Sequence, residues 1–245
     1  MLLLSLLTDL AMAADGENTN AFTLMDIWNH SGWIARGVII TLLFMLLVSA
    51  FVAMERLLAF NRARKQSIRV AAAVIDPLQK GDVAKALAVS KDETFKSSYL
   101  ASLLAAGLGE MNQRVDSHGI ANASRAVDKA IGEESAKLKR GMTVLATVGS
   151  TAPFVGLFGT TFGVINAFAG MSSGNSGLGA ISAGISEALI TTAVGIGVAV
   201  LGVWAYNYFN ARMDKVKEEM ISSEADFMDW ANKLVQAQTA PTSGK

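Results

Sequence analysis

Three long apolar runs dominate the hydrophobic pattern of the chain. They cover residues 33–54, 141–171 and 181–209, and each is long enough to cross a hydrocarbon core of about 30 Å as an α-helix. Outside these runs the apolar residues recur every three or four positions, which is typical of helices that bury one face. The pattern predicts an all-α membrane protein with three transmembrane helices, numbered TM1, TM2 and TM3 in chain order.

The region between TM1 and TM2, residues 55–140, is predicted to be helical. Leu78 to Asp82 has the signals of a helix end, a glycine cap and a new N-cap. A long helix is predicted to start near Asp116 or Ser117, because an apolar stripe follows at helical spacing, formed by Ile120, Val127, Ile131 and Leu138. Since no proline or turn cluster separates this helix from TM2, we expect the two to form one continuous rod.

A second amphipathic helix is predicted over residues 210–235, directly after TM3. Its apolar stripe consists of Met213, Val216, Met220, Phe227, Trp230 and Leu234, with Ser223 filling one gap. This helix is suited to packing beside the helix that precedes TM2. Residues 236–245 are polar and include Pro241 and Gly244, so this tail is predicted to be disordered.

Lysine and arginine residues flank the three spans on one side of the membrane. They follow TM1, precede TM2 and follow TM3, at Arg56, Arg62, Arg64, Lys65, Arg69, Lys137, Lys139, Arg140, Arg212, Lys215 and Lys217. Acidic residues precede TM1, and residues 172–179 carry no charge. Because basic loops are retained in the cytoplasm, residues 55–140 and 210–245 are predicted to be cytoplasmic, and TM2 and TM3 are predicted to extend into a helical bundle there. The N-terminal segment 1–32 and the loop 172–180 are predicted to be periplasmic.

The first 14 residues allow two interpretations. They contain an apolar stretch followed by Ala11-Met12-Ala13, as a cleaved signal peptide would. However, no basic residue precedes the stretch, and Asp9 interrupts it. We favour a retained amphipathic helix on the outer membrane surface, with cleavage as the alternative.

Composition excludes most classes of enzyme and nucleic-acid-binding protein. The 245 residues carry no net charge, so long-range attraction of a polyanion is not expected. The absence of cysteine removes disulfides, thiolate metal sites and thiol nucleophiles. The two histidines, His30 and His118, have no partner at metal-ligand spacing. We expect no cofactor, no metal and no enzymatic activity, since no nucleophile–base pair is visible.

TM2 is rich in glycine and threonine. Its Gly159 and Gly163 form a GxxxG step, which lets two helix backbones approach closely. Pro153 is expected to bend the span and free a carbonyl. The hydroxyls of Thr160 and Thr161 lie in the outer part of the span, and for any one threonine the simpler interpretation is a hydrogen bond to its own helix backbone. The predicted helix-packing residues are Pro153, Gly156, Gly159, Gly163, Gly184 and Gly195.

Glu187 is the one charged residue within TM2 and TM3. An ionised carboxyl costs several kcal/mol in lipid, so such a group faces a protein interior or a watery cavity. A carboxyl that exchanges its proton there can accept it from one side of the membrane and release it to the other. Two alternatives remain: a neutral glutamic acid that only joins helices by a hydrogen bond, and a glutamate at the membrane surface, about six residues into TM3.

Two motifs resemble the ExbB/TolQ/MotA family of proton-channel subunits. They are GLFGTTFGVINAF at 156–168 and GISEALITTAVGIGVAVLGVWAYN at 184–207, and their spacing fits the ExbB/TolQ branch. The resemblance implies that Glu187 is the proton-pathway carboxylate and that Thr160 and Thr192 are pore threonines. Thr191 departs from the family pattern, in which a small apolar residue is more usual. Because Thr191 lies one helical turn from Glu187 and Thr192 points partly away, the sequence leaves open which of the two lines the pore.

The resemblance also implies an assembly and a role in the bacterial inner membrane. Five subunits would form a ring around a central pore, which would hold two copies of a single-span ExbD/TolR-like partner. Proton passage would drive a TonB/TolA-like or motility machine, with TonB-type uptake or gliding motility favoured over Tol-type envelope maintenance. The alternative function is that of a non-conducting membrane scaffold.

Overall fold

The computed structural model describes residues 32–172 and 178–239. In these ranges six α-helices and one short 3-10 helix (Glu93–Phe95) account for nearly all of the chain. The α-helices are α1 Trp33–Gln79, α2 Val83–Ser90, α3 Tyr99–Gln113, α4 Ser117–Lys139, α5 Met142–Ser172 and α6 Leu178–Thr239. The predicted surface helix or signal peptide, most of the loop after TM2 and the last residues of the predicted tail lie outside the described residues.

Three helices are long and apolar enough to cross a membrane, which confirms the three predicted spans. They are Trp33–Gln79, Met142–Gly170 and Gly184–Ala237. None of the residues that the structure describes lies in a β-strand, so this part of the fold is all-α, as predicted. α6 continues without a break from TM3 to Thr239, past the predicted helix end at residue 235.

The helices contribute to two compact units. The described residues of the first unit are 32–43, 153–172 and 178–196, and those of the second are 44–152 and 197–239. α1, α5 and α6 each contribute a segment to both units. The second unit also contains α2, α3 and α4 and encloses a continuous hydrophobic core, whose fully buried members include Val70, Val74, Leu108, Met111, Val127 and Met220.

The two predicted apolar stripes face this core. The buried members are Val127, Ile131 and Leu138 on α4, and Val216, Met220 and Phe227 on α6. Ile120, Trp230 and Leu234 are half-buried and pack against the same core. The spacing of apolar residues therefore identified the buried faces of both helices correctly.

The predicted helix boundaries around Gly81 and at Asp116 are confirmed. α1 ends at Gln79, and Gly81 follows with a φ of +69°, the left-handed conformation typical of a glycine cap. Asp82 then accepts a hydrogen bond from Lys85 N at 2.9 Å, as an N-cap side chain does. Asp116 caps α4 in the same way, at 2.8 Å from the backbone nitrogen three residues later.

The expected continuous rod from α4 into TM2 is wrong. α4 ends at Lys139 and α5 begins at Met142, because Gly141 has a φ of +79° and breaks the helix. Buried Arg56 stabilises the break, since its Nη1 donates to the Lys137 carbonyl oxygen at 3.2 Å in the last turn of α4. The signal for this break was present in the sequence, where basic residues followed by glycine are a typical helix end.

Two polar contacts link α6 to α3 and α4 within the second unit. The Tyr99 hydroxyl donates to Glu219 Oε2 at 2.5 Å, and burial together with this carboxylate raises the pKa of Tyr99 to about 12. Burial, and next the carboxylate of Asp128, raises the pKa of Glu224 above its ordinary value. The C-terminal half of α6 therefore packs beside α4, as its apolar stripe predicted.

Candidate functional site

In the first unit, α5 and α6 pack through glycines at close range. A Cβ added to Gly156 would lie 2.9 Å from the Thr191 carbonyl oxygen, and one added to Gly163 would lie 2.7 Å from Ala188 Cβ. Side-chain atoms do not approach so closely, so the helix spacing requires glycine at these positions. We call this line of contact the glycine seam; its members are Gly156, Gly159 and Gly163 on α5 and Gly184, Ala188, Thr191 and Gly195 on α6.

The structure places the predicted packing glycines in this seam. A Cβ at Gly184 would lie 2.9 Å from Ala167 Cβ, and Gly195 Cα lies 3.3 Å from the position of a Cβ at Gly156. Pro153 lies inside α5, at the start of the α5 segment that belongs to the first unit. The seam brings two helix backbones together, so short polar side chains beside it can contact each other across the helices.

Two threonine hydroxyls meet in this way. Thr192 Oγ1 donates to Thr160 Oγ1 at 3.4 Å, while Thr160 Oγ1 donates to the Leu157 carbonyl oxygen of its own helix at 2.8 Å. The donors therefore follow one direction, from Thr192 to Thr160 to the α5 backbone. A separation of 3.4 Å is long for two hydroxyls, so the contact is weak and a water molecule can compete for it.

The simpler interpretation of the TM2 threonines is confirmed for four of them. Thr147, Thr151, Thr160 and Thr161 each donate to a carbonyl oxygen three or four residues earlier in the same helix, at 2.7–2.9 Å. Such a bond satisfies a hydroxyl inside an apolar span. Thr160 differs from the other three by its second contact, with Thr192.

Thr191 lies in the glycine seam and not beside Thr160. Its side chain is 0% exposed. Its hydroxyl donates to the Ala188 carbonyl oxygen at 2.7 Å and lies 3.4 Å from the Gly156 carbonyl oxygen. The two threonines between which the sequence did not decide therefore have different contacts. Thr191 packs between the helices, whereas Thr192 contacts Thr160.

Glu187 contacts the amino terminus of α1. The backbone N–H of Gly32, the residue before α1, donates to Glu187 Oε1 at 3.0 Å. A carboxylate is favoured there, because the first N–H groups of a helix lack backbone acceptors and the helix dipole is positive at this end. The Glu187 side chain is half-buried at this position.

The structure does not bring Glu187 to the threonines. Within the described ranges, Glu187 has no hydrogen bond to Thr160, Thr191 or Thr192. Five positions separate Glu187 from Thr192, which places them about 140° apart around α6 at roughly 100° per residue. Glu187 therefore faces α1, on a different side of α6 from the Thr160–Thr192 pair.

Gly32 is the contact residue that sequence reasoning missed. A glycine directly before an apolar run is a recognisable N-cap signal. No local pattern, however, indicates which side chain accepts its N–H, and the acceptor lies 155 positions later in the chain.

The titratable chemistry of the first unit is simple. In the part that the structure describes, its charged side chains are those of Arg36 and Glu187, and no group of three or more potential metal ligands occurs in the described chain. A guanidinium does not deprotonate in proteins. Reversible proton binding in these residues therefore falls to the Glu187 carboxyl.

Comparison with known proteins finds several similar chains. Residues 96–222 match a family described as the MotA/TolQ/ExbB proton channel family. The Tol-Pal system protein TolQ of Pseudomonas aeruginosa is 32% identical over 190 residues, which cover 73% of this chain and 81% of that protein. The biopolymer transport protein ExbB of Xanthomonas campestris pv. campestris is 34% identical over 186 residues, covering 71% and 72%. A protein of the same name from Neisseria gonorrhoeae is 48% identical over 71 residues, covering 29% and 32%.

Proposed function

The chain belongs to the MotA/TolQ/ExbB proton channel family, and we propose that it is a proton-channel and stator-like subunit of the bacterial inner membrane. In this role it converts the proton motive force into mechanical work on a periplasmic or outer-membrane machine. The observation that supports the proposal most directly is Glu187, a carboxyl placed between apolar helices. Among the described residues of the first unit it is the one side chain able to bind and release a proton.

The Thr160–Thr192 pair supplies the polar part of the proposed pathway. Each hydroxyl can accept one hydrogen bond while it donates another, so the pair offers a proton a route along helix faces that are otherwise apolar. Glu187 takes up a proton from the periplasmic side, and the hydroxyls and intervening water pass it towards the cytoplasm. Each proton is worth about 2.3 kcal/mol per 100 mV of membrane potential, so a few protons are enough to drive a conformational cycle.

The proposed subunit works in a homo-oligomeric ring in the lipid bilayer, with five copies around two copies of a single-span ExbD/TolR-like partner. The outer faces of the spans support association with lipid and with neighbouring subunits. Phe154, Leu157 and Phe158 of α5 are each more than half exposed in the single chain, and such apolar surface is not stable in water.

The driven machine stays a prediction. Relatives named for the Tol-Pal system and for biopolymer transport are 32% and 34% identical over similar shares of the chain, so identity does not separate TonB-type uptake from Tol-type envelope maintenance. We keep TonB/TolA-like machinery and gliding motility as the candidate outputs. Deleting the gene and scoring siderophore uptake, detergent sensitivity and surface motility separately would identify the driven process.

Replacement of Glu187 tests the proton-channel proposal. Glu187→Gln keeps the size and hydrogen bonding of the side chain but cannot ionise, so we expect normal assembly and no proton flux in liposomes that contain the complete complex. Glu187→Asp keeps the carboxyl and should retain a little flux. In a scaffold, the alternative function, a neutral amide serves equally well, so wild-type output from Glu187→Gln would exclude the proton-carrier role.

The threonine pair offers a matched control for the pathway. Thr160 and Thr161 both donate to the Leu157 carbonyl oxygen, at 2.8 and 2.9 Å, but only Thr160 contacts Thr192. Thr160→Val and Thr161→Val therefore lose the same backbone bond at nearly constant volume. We expect slower proton flux in Thr160→Val but not in Thr161→Val. The flux should be slowed and not abolished, because water can replace the hydroxyl. Equal flux in the two variants would remove the threonine pair from the pathway.

A further inference from the structure

The position of Glu187 suggests a second role for the amino terminus of α1. Gly32 N–H donates to Glu187 Oε1 at 3.0 Å, and both residues belong to the first unit. The outer end of α1 is fixed by packing, because Ala35, Val38 and Leu42 are all less than 8% exposed. Val38 also touches the glycine seam, with its Cγ1 3.1 Å from the position of a Cβ at Gly159. The N–H donor is therefore held in place by its own helix.

The strength of this contact depends on the charge of the acid. An N–H···O bond to a carboxylate is about twice as strong as one to a neutral carboxyl group, and the positive end of the helix dipole adds to the preference. The charged groups that face the site from the packed elements are few. In the described first unit α1 contributes Arg36, α5 contributes none, and α6 contributes Glu187 itself.

We propose that the Gly32 N–H is a positioning group, which holds the ionised Glu187 carboxylate away from the Thr160–Thr192 pair until the carboxylate binds a proton. The proposal rests on the proposed function, in which Glu187 carries the proton. Protonation weakens the bond to Gly32 and frees the side chain from α1. The amino terminus of α1 thereby keeps the ionised Glu187 side chain out of the pathway. The side chain leaves α1 only after its carboxylate has bound a proton.

Position 32 permits a test with a matched control. Gly32→Pro removes the N–H and keeps the carbonyl that accepts the Arg36 N–H at 3.1 Å. Position 32 precedes the first residue of α1, so the substitution removes no backbone hydrogen bond within the helix. Gly32→Ala keeps the N–H, and its added Cβ would meet nothing within 4 Å. Both variants are made in a His30→Gln background, because position 30 is two residues away in the sequence and the reference pKa of a histidine side chain lies near neutral pH.

The measurement is proton flux against pH, in liposomes that contain the complete complex purified through a tag on this chain. Without the N–H the ionised carboxylate loses a hydrogen bond that restrains it, so Gly32→Pro should show more flux than its parent at the alkaline end of the profile. The Gly32→Ala profile should superimpose on that of the parent. Superimposed Pro and Ala profiles would refute the positioning role.

A second measurement does not depend on any position 32 variant. In the reconstituted complex, labelled with 15N-glycine and 13C-glutamate, solid-state NMR should detect a 15N–13Cδ contact of roughly 4 Å at neutral pH. The signal is assigned to Glu187 by its loss in Glu187→Gln, where the glutamine carries no 13C label. Absence of this contact would overturn the proposal even if Gly32→Pro fails to assemble. The proposed function and the positioning role can fail separately. Wild-type flux in Glu187→Gln would refute the proposed function. No flux in Glu187→Gln together with identical profiles of Gly32→Pro and Gly32→Ala would refute only the positioning role.

Discussion

Gly159→Ala is the sharpest test of the glycine seam. The added Cβ would lie 2.5 Å from Thr191 Oγ1, 3.0 Å from Thr191 Cβ and 3.1 Å from Val38 Cγ1. Rotation of the threonine side chain can move its hydroxyl, but Thr191 Cβ is fixed to the α6 backbone. The helices must therefore separate, or the α1 contact must shift, to accommodate a single methyl group.

The magnitude follows from two opposing effects. Overpacking a close-packed site costs about 1–3 kcal/mol, while replacing glycine by alanine inside a helix gains about 0.5–1 kcal/mol. Gly37→Ala in α1 isolates the second effect, because its Cβ would meet nothing within 4 Å. We expect Gly37→Ala to be neutral or stabilising and Gly159→Ala to be less stable than it by about 1–3 kcal/mol, which is the overpacking cost alone.

Thermal unfolding of the purified protein in detergent, followed by circular dichroism, measures this difference. For a chain of this length it amounts to several degrees, at roughly 2–4 °C per kcal/mol. Adding Thr191→Ala to Gly159→Ala removes the nearest clashing atom, so the double variant should be more stable than the sum of the single effects predicts. A melting temperature of Gly159→Ala equal to or above that of Gly37→Ala would show that the seam is not close-packed.

Three further predictions concern topology and the second unit. Single cysteines at Gly16 and Lys233 should label differently with an impermeant maleimide in intact cells, and equal labelling would contradict the predicted orientation. Because the folded pKa of Tyr99, about 12, lies above its ordinary value of 10, its contribution to stability is complete below pH 10 and is lost as the pH rises towards 12. Tyr99→Phe, which loses the bond to Glu219, should be less stable than the wild type by about 1 kcal/mol at pH 8. This difference in stability should shrink between pH 10 and pH 12, and a difference that stays constant would argue against the raised pKa of Tyr99. Gly141→Ala should destabilise by about 1–2 kcal/mol, because alanine is strained at positive φ, and Gly141→Asn should lose less; equal melting temperatures for the three chains would contradict this.

Local chemistry made much of the fold predictable. Asp82 and Asp116 were identified as helix starts because an N-cap aspartate acts within three residues of its own position. The buried faces of α4 and α6 followed from helical periodicity in the same way. The break at Gly141 was missed because the apolar pattern continues through it, although the basic residues followed by glycine are a typical helix end. The break comes from the positive φ of Gly141, and it is stabilised by Arg56, 81 positions away from the carbonyl it binds.

For the candidate site, the sequence predicts a set of residues but not their arrangement. Composition alone singles out Glu187, since a carboxyl in an apolar span is costly. Helical geometry placed Thr191 nearest to Glu187, but the same geometry does not say which face of α6 meets α5. The glycines decide that question, because Gly156 and Gly159 accept Thr191 into the seam and leave Thr192 beside Thr160.

This arrangement bears on how the proposed proton transfer would be coupled to movement. Glu187 and Thr192 differ by about 140° around α6 and by about 7.5 Å along it, which is more than a change of glutamate rotamer covers. If the two side chains belong to one proton path, as proposed, either water bridges the gap or α6 turns about its axis relative to α1. A turn breaks the Gly32 contact, and that contact is strongest while the carboxylate is charged. If Glu187 carries the proton, protonation of its carboxylate weakens the bond to Gly32 and so removes the restraint on the turn of α6. Proton binding and helix movement would then both depend on this one hydrogen bond.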